Sequence, residues 1–144
     1  MTKRYPSKVS FGILAFIFLV SYGPICFDLI NNDLPENLNT LLLILTVVFA
    51  FVLYLFFNTH YTIKEKKLFI KCGFFNYKPI DILEITEISK TNNLISSPAP
   101  SLDRIEIKYG KSKNIVISPK DKQHFAKDLC KINPAIKNDL NGIH

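Results

Sequence analysis

Residues 40–57 read TLLLILTVVFAFVLYLFF, without one charged side chain. As a helix rising 1.5 Å per residue, this stretch reaches about 27 Å, close to the thickness of a bilayer's hydrocarbon core. A helix on the surface of a soluble protein shows one polar face, and this one is apolar all round. The segment is expected to lie in lipid, and the reading of the rest of the chain works outward from it.

Toward the N-terminus, residues 9–27 read VSFGILAFIFLVSYGPICF, again uncharged. This run spans about 29 Å as a helix, and Pro24 falls near its far end, where a membrane helix tolerates it. The connector at residues 28–39 is polar and contains Pro35. So short a link joins antiparallel neighbours, which puts both chain ends on one side. Lys3, Arg4 and Lys8 precede the first run, and His60, Lys64, Lys66 and Lys67 follow the second. The connector carries Asp28, Asp33 and Glu36 and no base. The bias of Lys and Arg places both ends in the cytoplasm, with the protein in a bacterial inner membrane. A cleaved signal peptide is the competing reading of the first run, since a basic start, an apolar core and Ser21 and Gly23 fit it loosely. The run is long for a signal core, and Pro24-Ile25-Cys26 is a poor lipoprotein cleavage site, so retention is favoured. Cleavage would instead place the C-terminal part outside.

Beyond residue 58 the texture changes to short alternating runs. His60–Lys64 and Lys67–Cys72 read as two strands around Glu65 and Lys66, Gly73 as a turn, and Phe75–Ile80 as a third strand. Ile82–Ser89 is mostly strand, or a short helical turn followed by one. Thr91–Ser101, TNNLISSPAPS, is a loop or an edge segment. Leu102–Tyr109 is the clearest strand, with Ile105, Ile107 and Tyr109 on one face and Arg104, Glu106 and Lys108 on the other. Gly110–Lys113 turns the chain into a partner strand at Asn114–Ser118. Ser118-Pro119-Lys120-Asp121 reads as a helix start, with Ser118 as cap, Pro119 in the first helical position and Asp121 reaching back. That helix runs to about Ile132 on an apolar stripe of Phe125, Leu129 and Ile132, and Asn133-Pro134 stops it.

The expected organisation is a cytoplasmic tail at 1–8, membrane helices at 9–27 and 40–58 around an external loop at 28–39, a cytoplasmic domain at 59–135, and a tail at 136–144. The fold class is a two-helix transmembrane hairpin plus a mainly-β domain, a bent antiparallel sheet or barrel capped by a C-terminal helix. About 75 residues make a small core, so the helix has to cover the open end of the sheet.

The segment SPAPSLDRIEIKYG, followed after a short gap by VISPKDKQHF, resembles the YyaB-like family of bacterial pleckstrin-homology (PH) domains. The family pattern sets Ser101-Leu102-Asp103-Arg104 at the start of a strand and Ser118-Pro119-Lys120-Asp121 at the start of the last helix. Ile80-Asp81-Ile82 and Ile85 are similar to the family's lead-in. The resemblance covers residues 60–135 and implies a PH-like fold attached to N-terminal membrane helices. A full PH domain has seven strands where this pattern gives six, and the seventh is sought in Asn92–Ser101. Some small membrane-tethered relatives look like self-immunity proteins against peptide bacteriocins, which supplies an alternative function.

The chemistry of the side chains points away from catalysis. His60, His124 and His144 have no second ligand at helical spacing, and Ser96, Ser97 and Ser101 lie outside any nucleophile elbow. No phosphate-binding glycine loop is present, so no cofactor, metal or catalytic residue is expected. Asp103 and Arg104 point to opposite faces of a strand, Arg104 on the polar face and Asp103 bonding loop N–H groups near Ser101. Cys26, Cys72 and Cys130 are far apart and read as reduced thiols in apolar settings. The net charge of +6 flanks the apolar runs, and no recognition motif points to nucleic acid. Lys64, Lys66 and Lys67 in the first hairpin, with Lys71 on the next strand, are the candidate contacts to lipid headgroups. The plainer reading, charge that sets topology on a solvated surface, is the favoured one. The chain is read as a non-enzymatic binding or scaffold module, with the membrane and an anionic lipid or a protein as partners. Nothing in the pattern specifies an oligomeric state.

Overall fold

Ser10 and Asn32 set the limits of the first helix. The Ser10 hydroxyl accepts from the N–H of Ile13 at 3.5 Å, and Asn32 takes the left-handed conformation that closes the far end. In the computed structural model, which describes residues 2–32, 35–92 and 100–140, this helix is α1 (Phe11–Asn31). It runs past Phe27 and takes Asp28 into its last turns, because the left-handed stop comes only at Asn32. The second helix, α2 (Leu38–Phe57), has no buried residue. Both are long and apolar enough to cross a membrane. They run antiparallel: Tyr22 meets Thr46 at 3.2 Å between hydroxyls, and Phe18 meets Phe49 edge-on at 5.6 Å.

The helices do not precede the β domain. They interrupt it. Residues 2–6 form a strand, β1 (Thr2–Pro6), which pairs antiparallel with β2 (Thr59–Lys64) from Thr2↔Lys64 to Pro6↔His60. The expected N-terminal tail is therefore the first strand of the sheet, and about fifty residues of helical hairpin are inserted between two hydrogen-bonded neighbours. β1 lies at the edge of that sheet, paired with β2; the seventh strand sought at Asn92–Ser101 falls mostly on residues 93–99, which lie outside the described residues. The segment read as basic topology signal because it is only five residues long. Its alternation of Lys3, Tyr5 and Ser7 against Arg4 and Pro6 is too brief to register as a period.

The first sheet continues through β3 (Lys67–Cys72), which pairs with both β4 (Phe75–Asn76) and β5 (Ile80–Asp81). The single third strand expected at 75–80 is broken here, since Pro79 has no N–H to give the ladder. After a 3₁₀ turn at Ile82–Glu84, the second sheet is built from β6 (Ile85–Thr91), β7 (Arg104–Tyr109) and β8 (Lys113–Ile117). A register shift between Ile85 and Glu87 bends β6. The helix α3 (Lys122–Ile132) follows, and then a short strand, β9 (Lys137–Asp139), lies parallel to β6 where a loose tail was expected.

The core lies between the two sheets and α3. Tyr61, Leu68, Ile70, Ile88, Ile105, Ile107 and Ile117 face it from the strands, and Phe125 and Leu129 from the helix. Tyr5 joins from β1, its ring edge-on to Phe125 at 5.1 Å. The β-branched residues of the strands suit a pleated surface, and the stripe of α3 covers the open end as its spacing predicts. Asn133 ends α3 by donating to the carbonyls of Ile82 at 3.0 Å and Ile85 at 3.2 Å, which ties the helix to the turn beneath it.

Candidate functional site

The chain enters α1 through residues 6–10, and this segment is gripped on both sides. The Pro6 carbonyl accepts from Lys120 N–H at 3.0 Å, Ser7 N–H donates to Thr59 at 3.1 Å, Lys8 N–H to Ser118 at 2.7 Å and Ser10 N–H to Pro100 at 3.2 Å. The Ser7 hydroxyl lies 3.0 Å from that of Ser118 and 3.1 Å from that of Tyr61, all buried. The Asp103 carboxylate pairs with Lys8 at 2.8 Å and with Lys122. Burial opposes its ionisation, but the hydrogen bonds from Lys122 and Lys8 outweigh this and hold the carboxyl below its ordinary range. Deeper in, buried Asp128 on α3 accepts from Lys3 at 2.5 Å and from the Tyr5 hydroxyl. The bond from Lys3, then that from Tyr5, pulls the Asp128 carboxyl down to about 2, and burial followed by the same bond pushes the Tyr5 phenol up.

The chain leaves α2 through an apolar joint. Thr59 Oγ1 donates to the Leu55 carbonyl at 2.7 Å, and Gly73 N–H donates to Asn58 at 3.2 Å. Gly73 has φ +56°, and a Cβ placed there would run into the end of the Leu55 side chain. Glycine takes this left-handed backbone without strain and lets the turn between β3 and β4 lie close against the helix. Phe74, next in the chain, stacks on Tyr54 with centroids 4.5 Å apart.

Between these joints, the outward side of the first sheet is basic. Registered rows place Arg4 beside Thr62 and Phe69, Pro6 beside His60 and Lys71, and Thr2 beside Lys64 and Lys67. No outward position of β1, β2 or β3 carries a carboxylate. Asp81, opposite Lys67 at the far corner, uses its side chain to accept from Leu83 N–H. Arg4 Nη2 lies 3.1 Å from His60 Nδ1. Burial, then the charges of Arg4 and Lys71, lower the His60 pKa, so the ring is neutral at pH 7 and accepts from the guanidinium. On the other flank of β1, Lys90, Lys120 and Lys122 rim an open cleft of about 820 Å³ with Tyr5, Asp121 and Gln123. Both sides of the strand that leads into α1 therefore present cations, an arrangement that attracts anions.

The residues singled out in the sequence fall into two groups. Lys64, Lys67 and Lys71 do share one face, and Lys66 stands at the tip of the turn beside Glu65, both with positive φ. Lys64, Lys66 and Lys67 are at the end of the hairpin remote from α2, about 13 Å along the strand from the row of His60 and Lys71. Ser101, Asp103, Arg104, Ser118, Pro119 and Asp121 converge on the joint to α1, and Ser118, Pro119 and Asp121 change role. Ser118 is not the helix cap: its hydroxyl and carbonyl are taken by Ser7 and Lys8, and Ser7 bridges to Pro119, so the helix starts later. Asp121 caps it by accepting from His124 N–H at 3.0 Å. The Asp103 carboxylate is directed at Lys8 and Lys122, its own N–H donates to Ser101 Oγ at 3.2 Å, and Arg104 folds back to the Ser101 carbonyl at 2.5 Å; most of the loop whose N–H groups it was expected to bond, residues 93–99, lies outside the described residues. Tyr5, Ser7, Phe74 and Asp128 went unread, Lys3 was read only as topology charge and Gly73 only as a turn. Their only signal was the alternation at the N-terminus and a glycine between strands.

No curated protein and no solved structure matches this chain. A family model described as a bacterial PH domain matches residues 59–133, from the start of β2 to the end of α3. The match takes in the two-sheet core, the basic hairpin and both motifs of the α1 joint, and leaves β1 and the helices outside it. With half its length so matched, and with the bent sheets and capping helix in place, the chain belongs to the bacterial PH domain family.

Proposed function

We propose that this protein is a binding module of the YyaB-like kind, anchored by α1 and α2 as two spans of a bacterial inner membrane. Its PH domain then faces the cytoplasm and reads anionic lipid headgroups with the basic side of its first sheet. The observation that carries the reading is the position of that side. It holds Arg4, His60, Lys64, Lys67 and Lys71 with no carboxylate on β1–β3, on strands fixed to the ends of both apolar helices. The positive-inside bias supports the cytoplasmic placement. Each Lys or Arg near an anionic leaflet contributes about 1 kcal/mol, and the effect fades within a Debye length of about 8–10 Å. Lys71, in the row next to α2, therefore contributes most, and Lys66, at the tip, least.

The test is lysine reactivity in the full-length chain, reconstituted in nanodiscs of neutral phosphatidylcholine or of the same lipid with phosphatidylglycerol. Acylation of Lys71 is expected to slow several-fold in the anionic discs, and that of Lys66 to change little. Equal rates for Lys71 in the two lipids would remove the headgroup reading.

A further inference from the structure

We infer that the turn between β3 and β4 is a membrane wedge, in which Phe74 and Phe75 sit in the headgroup layer beside the end of α2 and fix the tilt of the PH domain on the bilayer. The inference rests on the spanning reading of α2 and adds a second, peripheral contact to it.

Three observations place the wedge. Phe74 is 67% and Phe75 64% exposed, adjacent phenyl rings on a turn where polar residues are the norm. Phe57, the last residue of α2 and three positions on from the Tyr54 on which Phe74 stacks, is 60% exposed, so the exposed apolar surface of the helix leads onto the turn. The turn is fixed at membrane depth: Gly73 lies against Leu55 and hydrogen-bonds Asn58, and Phe74 stacks on Tyr54, one helical turn from the end of α2. Phe75 pairs in register with Cys72, and Cys72 with Thr59, the first strand residue after the helix. This row is the nearest in the sheet to the end of the span. The interfacial layer on each side of the hydrocarbon core is several ångströms deep, and aromatic rings concentrate in it. Lys71, one row further out beside Asn76, then has headgroups within reach of its chain, as a basic residue next to an inserted aromatic requires.

The chain contains no tryptophan, so one introduced indole reports without background. Phe75→Trp and, separately, Phe49→Trp in the middle of α2 are placed in the full-length chain and reconstituted in phosphatidylcholine vesicles. Emission is compared using lipids brominated near the headgroup and near the acyl terminus. The indole at 75 is expected to be quenched at least twofold by shallow bromines and less by deep ones, and the indole at 49 most by deep ones. Adding Phe74→Ser and Gly73→Val to Phe75→Trp is expected to abolish the shallow quenching while leaving that at 49 intact. Quenching at 49 with none at 75 would overturn the wedge and leave the spanning reading standing. Loss at both positions would overturn the two together.

Discussion

The two joints between helices and domain are built on opposite principles. The α1 joint is polar: backbone bonds from Pro6, Ser7, Lys8 and Ser10, a buried hydroxyl cluster, and ion pairs to Asp103 and Asp128. The α2 joint is apolar and close: Gly73 against Leu55, Phe74 on Tyr54. A polar joint is directional and gives one fixed register of the segment that enters the helix. An apolar joint depends on shape, and an added side chain at Gly73 makes Leu55 give way. Together they hold the helical hairpin at two points on adjacent strands, which resists twisting as one point would not.

The largest effect is expected from removing β1 altogether. A fragment of residues 59–144 loses the pairing with β2, the Tyr5 ring and the acceptors for Lys120 and Thr59, and should not fold, since these terms together rival the whole stability of a small domain, about 5–15 kcal/mol. Replacing residues 8–58 by Asn-Gly keeps β1 and closes Ser7 to Thr59 with a two-residue turn. That chain should be soluble and give dispersed amide resonances. A folded 59–144 fragment would show that the α1 joint is dispensable to the domain.

Gly73→Val comes next. It adds a β-branched side chain at φ +56° into the space of Leu55, and about 2–4 kcal/mol of destabilisation is expected, read as thermal unfolding in detergent. If Gly73→Ala and Gly73→Val are both neutral, the apolar joint is not closed in solution. For the polar joint, Asp128→Asn should cost about 2 kcal/mol at pH 7, from the difference between 3.8 and about 2 in the carboxyl's pKa. The folded value lies below the unfolded one, so this stability is present in full above pH 4 and disappears as the pH falls toward 2. The gap between wild type and variant should therefore close over that window; a gap independent of pH would assign the loss to packing rather than charge. Asp103→Asn should cost less, up to about 1 kcal/mol, because the carboxylate is about half exposed and its pairs are screened. At 0.5 M salt the difference from wild type should vanish in the same unfolding assay.

The sequence announces what repeats and conceals what occurs once. The two uncharged runs are each far longer than any core helix needs, and the isoleucines of β7 and β8 alternate over enough residues to name both strand and face. The SLDR and SPKD segments carry the family by their order. Neither says that its partner is Ser7 or Lys8, about a hundred residues earlier, because part of the bonding runs to backbone atoms that every residue has and the rest uses a serine and a lysine of a kind found throughout the chain. The lysines of the first hairpin were visible as a charge cluster. Arg4 and His60 were not, since they join it only when β1 is laid beside β2. Gly73 shows as a turn, and its second duty, letting the turn approach a helix, depends on Leu55, which has no distinguishing neighbour in its apolar run.

The placing of the first strand ahead of the helices has a consequence for biogenesis. On the proposed topology, Thr2–Pro6 is made before both spans and has no partner until its mate at Thr59–Lys64 follows them. A chain in which only one of the two spans entered the bilayer would leave Thr2–Pro6 and Thr59–Lys64 on opposite sides of it, and β1 could not pair with β2. The fold thus demands an even count: the sheet is completed only when both spans cross together.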